Sequence, residues 1–179
     1  MPDTGAPWNI PYVAGTDLVS DWPTDSLALA NAIAAGLDLS KQIKQRVVST
    51  DTTDRNTTSN TFVDASISVT ITPTAASNLI VVNWTGAGIG RPSGGATRVY
   101  MRLYNTTASA ALQGAENLQW NEDGGGNMQY GFNIVGIFTS AGTTAQTIRG
   151  EFSKDAVSGT ATIYNTITTG VLTAWEIAV

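Results

Sequence analysis

The spacing of apolar residues changes twice along the chain, and each change marks the start of a new segment. Residues 1–23 show no period and carry four of the six prolines, which favour extended or turning backbone. We therefore predict an extended arm. An arm cannot bury its large apolar residues by itself, and those we predict to bind a partner are Trp8, Ile10, Tyr12, Val13, Leu18 and Trp22.

Residues 24–36 predict a short helix, because they are rich in Ala and Leu. Thr24, Asp25 and Ser26 offer N-caps, and Gly36 is placed to stop the helix. Its apolar stripe consists of Leu27, Ala30, Ile33, Ala34 and Leu37. A helix of about four turns is marginal in water unless its stripe is buried. We expect it to dock, either in a symmetric three-helix cluster or as a cap on the domain's own core.

From Lys41 onward the apolar residues alternate with polar ones, which is typical of strands with one buried face. Residues 63–71 show this period most clearly and end before Pro73, whereas residues 78–84 are apolar on both faces, as in a central strand. Further strands are predicted at 97–105, 112–120, 128–138, 145–152, 160–167 and 171–178.

Eight or nine short strands separated by turn signals predict an all-β fold. We expect a jelly-roll-like antiparallel β-sandwich, preceded by the extended N-terminal arm and one short helix. The predicted domains are an attachment arm with its helix at 1–40 and a sandwich head at 41–179.

Composition removes several classes of function. The formal charge is −5 and the nine basic residues are scattered, which argues against nucleic acid as a partner. No apolar run approaches the roughly 20 residues that span a bilayer, and the N-terminus does not have the pattern of a signal peptide. We therefore expect neither a nucleic-acid partner nor a membrane.

The chain contains no histidine and no cysteine, which excludes Ser-His-Asp and Cys-His catalysis and the usual zinc and iron sites. Carboxylate chemistry remains open, but the acidic residues fall mostly in loops and at strand ends. We predict a protein that is not an enzyme and has no catalytic residue, cofactor or metal.

Several local patterns have two interpretations. The glycine-rich residues 86–95 do not fit a phosphate loop, because Arg91 replaces the third glycine, and they predict a mobile hairpin loop. Acidic residues at 51–56 and 121–127 could bind calcium or simply form solvated turns. The side chains of Trp84, Trp120 and Trp175 could pack in the core or form a contact surface.

Two portions of the chain resemble known phage proteins. The stretches QRVVST (45–50), TTSNTFVDASISVTITPTAASNLIVV (57–82), RLYN (102–105) and TAWEI (173–177) are similar to a β domain of tail fibres and head fibres in tailed bacteriophages. The segment GAPWNIPYVAGTDLVSDWPTDSLALANAIAAGL (5–37) resembles the opening of virion structural proteins from phages of actinobacteria.

This resemblance implies a virion structural protein, made in the host cytoplasm and carried on the particle surface. The chain lacks the long repetitive shaft of a fibre, which favours a trimeric capsid decoration protein or short head fibre over a tail component. The expected partners are copies of itself and a major capsid or tail protein. A tail knob that binds a host-surface glycan through exposed aromatic residues or Arg91, Arg98 and Arg102 is the alternative. An arm folded back over its own sandwich also remains open.

Overall fold

The structure, a computed structural model, describes residues 22–39, 43–90, 98–121, 129–155 and 159–179. The chain divides into two compact units, Met1–Gln42 and Ile43–Val179. Most of the predicted arm lies outside the described residues, including Trp8, Ile10, Tyr12, Val13 and Leu18.

The described residues of the N-terminal unit form the helix α1, at Trp22–Leu39. Pro23 lies in its first turn, where a backbone N–H would have no partner within the helix. The prediction that Gly36 stops the helix is wrong, because α1 continues for three residues beyond it. A glycine inside a helix costs only about 1 kcal/mol relative to alanine. Among the described residues, no helix combines the length and the hydropathy needed to cross a membrane.

The described residues of the second unit form eleven antiparallel strands. They are β1 (Ile43–Asp51), β2 (Arg55–Thr57), β3 (Val63–Ile71), β4 (Leu79–Gly90), β5 (Arg98–Asn105), β6 (Ala110–Ala111), β7 (Leu118–Asn121), β8 (Gln129–Thr139), β9 (Gln146–Lys154), β10 (Ala161–Ile163) and β11 (Gly170–Ile177).

The strands form two sheets with the connectivity of a jelly roll. One sheet contains the order β1-β11-β4-β8, with β10 and β2 extending it, and the other contains β3-β9-β5-β7, with β6 added beside β5. Numbered one to eight along the chain, these principal strands have the orders 1-8-3-6 and 2-7-4-5. That interleaving is the double-sheet jelly roll. The predicted antiparallel, jelly-roll-like sandwich is therefore confirmed.

Several predicted boundaries were wrong. Residues 86–90 belong to β4 and not to a hairpin loop, because Ile89 pairs with Tyr130 of β8 and with Ile163 of β10. The strand predicted at 160–167 covers only Ala161–Ile163, and the one at 112–120 begins only at Leu118. The very short strands β2 and β6 were not predicted, since two or three residues are too few to show a period.

The core lies between the two sheets, and its largest side chain is that of Trp84 on β4. Its indole ring meets the ring of Phe132 edge-on, with 5.1 Å between centroids. A Cβ added at Gly150, on β9 of the opposite sheet, would come within 2.7 Å of that indole. The glycine thus leaves the space that the indole occupies between the sheets. The core-packing interpretation of Trp84 is confirmed.

We expect Gly150→Ala to lower the free energy of unfolding by about 1–3 kcal/mol, because the new methyl group overpacks the indole. Chemical denaturation followed by Trp fluorescence measures this change. Gly142→Ala is the matched control, since a Cβ there meets nothing within 4 Å. Equal stability of both variants would contradict the packing described here.

Candidate interaction surfaces

The side chains of the predicted oligomer stripe of α1 are exposed to solvent at the positions for which the structure describes them. Leu27 is 62% exposed and Ile33 is 45% exposed, and Ala30 is also exposed. Trp22 is the first residue of the helix and Leu37 lies in its last turn. Half-buried residues lie on the other side of the helix, at Ala28, Leu29, Ala32 and Gly36. The described members of the stripe, Leu27, Ala30, Ile33 and Ala34, are thus exposed.

The sandwich has two distinct ends. The chain enters it at Ile43, which is paired with Ile177 near the C-terminus. The connections β3–β4, β5–β7 and β8–β9 lie at this entry end, because Ile71 pairs with Gln146 and Leu79 with Thr139. The connections β1–β3, β4–β5, β7–β8 and β9–β11 lie at the far end.

At the entry end, a buried carboxylate accepts hydrogen bonds from several segments of the chain. Glu176 on β11 is fully buried and accepts hydrogen bonds from the side chains of Asn78 (2.5 Å) and Gln45 (2.6 Å). The backbone N–H and the hydroxyl of Thr74 donate to it as well, at 2.7 and 2.8 Å. Burial raises the pKa of Glu176, but these hydrogen bonds outweigh burial and lower its pKa to about 2. The carboxylate thus fastens the β3–β4 connection to β1 and β11.

Because the pKa of Glu176 falls from an ordinary 4.5 to about 2 on folding, its ionised form stabilises the fold above about pH 4.5. This stabilisation, roughly 3 kcal/mol, is lost as the pH falls from 4.5 towards 2. We expect Glu176→Gln to lower the free energy of unfolding by a similar amount at pH 7. We also expect the free energy of unfolding of this variant to fall less than that of the wild type as the pH is lowered. Denaturation from pH 2 to 7 measures both effects.

Exposed Glu116 supplies the control for that experiment. We expect Glu116→Gln to change the free energy of unfolding by less than about 0.5 kcal/mol at pH 7. A Glu176→Gln variant with the wild-type stability at every pH would contradict the role assigned to this carboxylate.

The calcium interpretation of residues 51–56 is not supported by the contacts of its carboxylates. Asp51 accepts hydrogen bonds from Arg55 (2.8 Å) and from Asn165 (3.0 Å), and Asp54 accepts two from Thr166. Burial raises the pKa of Asp51, but its hydrogen bonds lower it below the ordinary value. No group of three potential metal ligands occurs among the described residues. The other acidic stretch, at 121–127, lies outside the described residues from residue 122 onward.

The outward face of the β3-β9-β5-β7 sheet, here the charged face, carries a network of paired charges and aromatic rings. The buried Glu151 carboxylate accepts from Arg102 Nε at 2.6 Å and from Arg149 Nε at 2.7 Å. Arg102 lies over the rings of Phe62 and Tyr104, at 4.2 and 4.5 Å from their centroids. Of the arginines proposed for glycan binding, Arg102 belongs to this network. Arg98 lies exposed at the far end of β5, and Arg91 is outside the described residues.

The outward face of the β1-β11-β4-β8 sheet, here the apolar face, has a different composition. Ile43, Val48 and Val135 are exposed on it, at 62%, 44% and 46%. The half-buried apolar residues between them are Leu79, Val81, Ile137, Val171, Trp175 and Ile177. Antiparallel sandwiches normally turn polar residues outward. This face therefore departs from the usual pattern, and Trp175 forms part of the surface and not of the core.

A pocket of about 200 Å³ lies near the entry end, lined chiefly by alanines with Asn105, Gln146 and Phe138. Its volume is below the usual range of small-molecule sites, roughly 300–1,000 Å³. It offers no grouped charges among its lining residues.

The sequence pattern predicted some of the residues that lie on these surfaces. Alternation identified the outward positions of β3 and β5, but Glu176 carries no local signal, because its donors come from residues 98 to 131 positions away. The apolar face could have been found from its charges: β4 and β8 contain no charged residue. For residues 78–84, the apolar side chains on both faces predicted only a central strand.

No protein-family model matches the chain, and neither does any curated protein. Among solved structures, the chain has distant structural similarity to the protein of the T13 particle of infectious bursal disease virus, with a TM-score of 0.42 and 13% identity. The match covers 75% of this chain and 36% of the viral one.

Two further structures are similar at lower scores. The sugar-binding C-terminal domain of EclA gives a TM-score of 0.34 at 15% identity, covering 80% of this chain and 84% of that domain. The enzymatically active domain of tailspike protein 4 from bacteriophage CBA120 gives 0.27 at 13% identity, covering 75% and 20%. The chain is thus a jelly roll with distant structural similarity to a viral capsid protein, a sugar-binding domain and a phage tailspike.

Proposed function

We propose that this chain is a non-enzymatic structural protein of a phage virion, a trimeric capsid decoration protein or short head fibre anchored by its N-terminal residues. The observation that carries the proposal is the open stripe of α1, with Leu27 and Ile33 exposed in the segment that precedes the sandwich. An apolar stripe left in water costs free energy that burial against a partner recovers.

The sandwich supports this assignment because its hydrophobic core is assembled from its own strands and connections. Every residue of the core cluster lies between Val47 and Ala174. No described residue of α1 belongs to that cluster, and the proposal assigns α1 to assembly. The resemblance of residues 5–37 and 41–179 to phage virion proteins points to a particle as the place of attachment.

The two ends of the sandwich suit a head displayed outward. Attachment through the N-terminal residues enters at Ile43, whereas four connections lie at the opposite end. The charged face adds a surface whose ions are paired with one another, as Glu151 is with Arg102 and Arg149. Such a surface stays hydrated without attracting nucleic acid.

Deleting residues 1–23 should abolish attachment to particles while the sandwich stays folded. Particles assembled with the full chain or with the shortened chain would be purified and compared by electron microscopy and quantitative mass spectrometry. Circular dichroism of the free shortened chain verifies its fold. Unchanged occupancy on the particle would defeat the proposal.

Glycan binding by a tail knob is the second candidate, favoured by the rings of Phe62, Tyr100 and Tyr104 on the charged face. Aromatic rings on a sheet can stack against sugars, and Arg98 at the far end could donate hydrogen bonds to them. In that case, free protein should adsorb to host cells, and Arg98→Ala with Tyr100→Ala should reduce adsorption at least tenfold. Absence of adsorption by the folded wild-type protein would remove this candidate.

A further inference from the structure

Arg102, on the charged face, uses only part of its hydrogen-bonding capacity. Its Nε donates to the Glu151 carboxylate at 2.6 Å, whereas its two η nitrogens make no hydrogen bond within the described part of the chain. A guanidinium carries five N–H donors in a planar fork, four of them on the η nitrogens. Four strong donors of Arg102 are therefore left for water or for a ligand.

Three neighbours hold this guanidinium in one orientation. Its central carbon lies over the rings of Phe62 and Tyr104, at 4.2 and 4.5 Å from their centroids. The buried Glu151 carboxylate holds the Nε edge, and the Arg102 side chain is 25% exposed. Because rings and carboxylate cover its other sides, the η edge is the part that solvent reaches. A donor pair that is fixed before binding loses little conformational freedom when a ligand arrives.

The ion pairs around Arg102 leave no net charge. Glu151 is shared, since its other oxygen accepts from Arg149 Nε at 2.7 Å, and Arg149 also pairs with Asp64 at 3.4 Å. The two positive and two negative formal charges of this group cancel. A ligand must therefore gain from the geometry of the η edge and from a further contact beside it, and not from net charge alone.

Tyr100 offers that further contact. It lies two residues before Arg102 on β5, so the two side chains share a face and start roughly 7 Å apart along the strand. The Tyr100 side chain is half-buried, and within the described residues no arginine lies over its ring. An aromatic ring with a hydroxyl combines an apolar surface with a hydrogen-bonding group.

We propose that Arg102 and Tyr100 form a binding site for a sugar that carries a carboxylate. The η nitrogens of Arg102 donate to the two carboxylate oxygens, a bidentate geometry that arginine favours, and the Tyr100 ring packs against the sugar ring. This inference deepens the glycan-binding candidate, on which it rests for the class of partner, by naming the chemical group that is recognised. It does not depend on attachment through the N-terminal residues.

The same geometry disfavours other small ligands. A neutral sugar would leave the charge-assisted hydrogen bonds of Arg102 unmade. Acetate would fill the η edge but leave Tyr100 without a contact. Inorganic phosphate would also leave Tyr100 without a contact, and it brings more negative charge than a cluster without net charge attracts.

Titration of the full wild-type chain tests the site without any substitution. Glucuronate, glucose, acetate and inorganic phosphate are added separately, and the side-chain Nε–H signal of Arg102 is followed by NMR. We expect glucuronate to shift this signal and to bind at least tenfold more tightly than each of the other three ligands.

A conservative variant tests the role of the planar fork. Arg102→Lys keeps the positive charge but removes the fork, so we expect glucuronate to bind at least tenfold more weakly, as measured from the amide signals of β5. Arg46→Lys is the matched control, because Arg46 is exposed on β1 in the other sheet, and it should leave the affinity unchanged. Circular dichroism verifies that both variants are folded, and the wild-type titration decides the outcome if Arg102→Lys is not.

Absence of glucuronate binding would overturn the inference, as would equal or tighter binding of glucose, acetate or phosphate. An unchanged affinity of folded Arg102→Lys would overturn it as well. Adsorption to host cells that glucuronate does not reduce would leave the glycan-binding candidate standing without this site. Conversely, glucuronate binding by a protein that does not adsorb to cells would remove the tail knob and support the site.

Discussion

The fit of the Trp84 indole against Gly150 governs the spacing of the two sheets. Every other inward side chain packs into the gap that this contact fixes, because protein interiors are close-packed and tolerate few voids. The ring of Phe132 lies edge-on to the same indole. Its strand, β8, pairs with the edge of β4 that is opposite β11. The apolar face exists because this packing fixes which side of β4 and β8 points inward and therefore which side meets water.

The two outward faces of the sandwich follow from the same alternation but have different chemistry. On β5 and β9 the outward positions carry arginines and a carboxylate, whose ion pairs are satisfied within the face. On β4 and β8 they carry valine, isoleucine and asparagine, which leave apolar area that water solvates poorly. The two outward faces of the sandwich therefore differ in how well water solvates them.

The entry end of the sandwich is where β1 begins, at Ile43. Glu176 holds the β3–β4 connection and the start of β1 together with four hydrogen bonds, so the point at which the chain enters the sandwich is firmly placed. Its donors are all uncharged amides and a hydroxyl, which stabilise the carboxylate without needing a cation.

The sequence by itself determined the all-β class, the antiparallel sandwich and most of the strands, because a two-residue period follows directly from the pleat of a strand with one buried face. The three-four spacing also predicts the stripe of α1, and that stripe stays a prediction. The sequence predicted the end of α1 at Gly36, which was wrong because the helix continues to Leu39. It could not determine the extension of β4 through residues 86–90 or the donors of Glu176. Only the tertiary structure decided these features, together with the side of β4 that faces outward, because each depends on partners that lie far away along the chain and meet only when the two sheets pack.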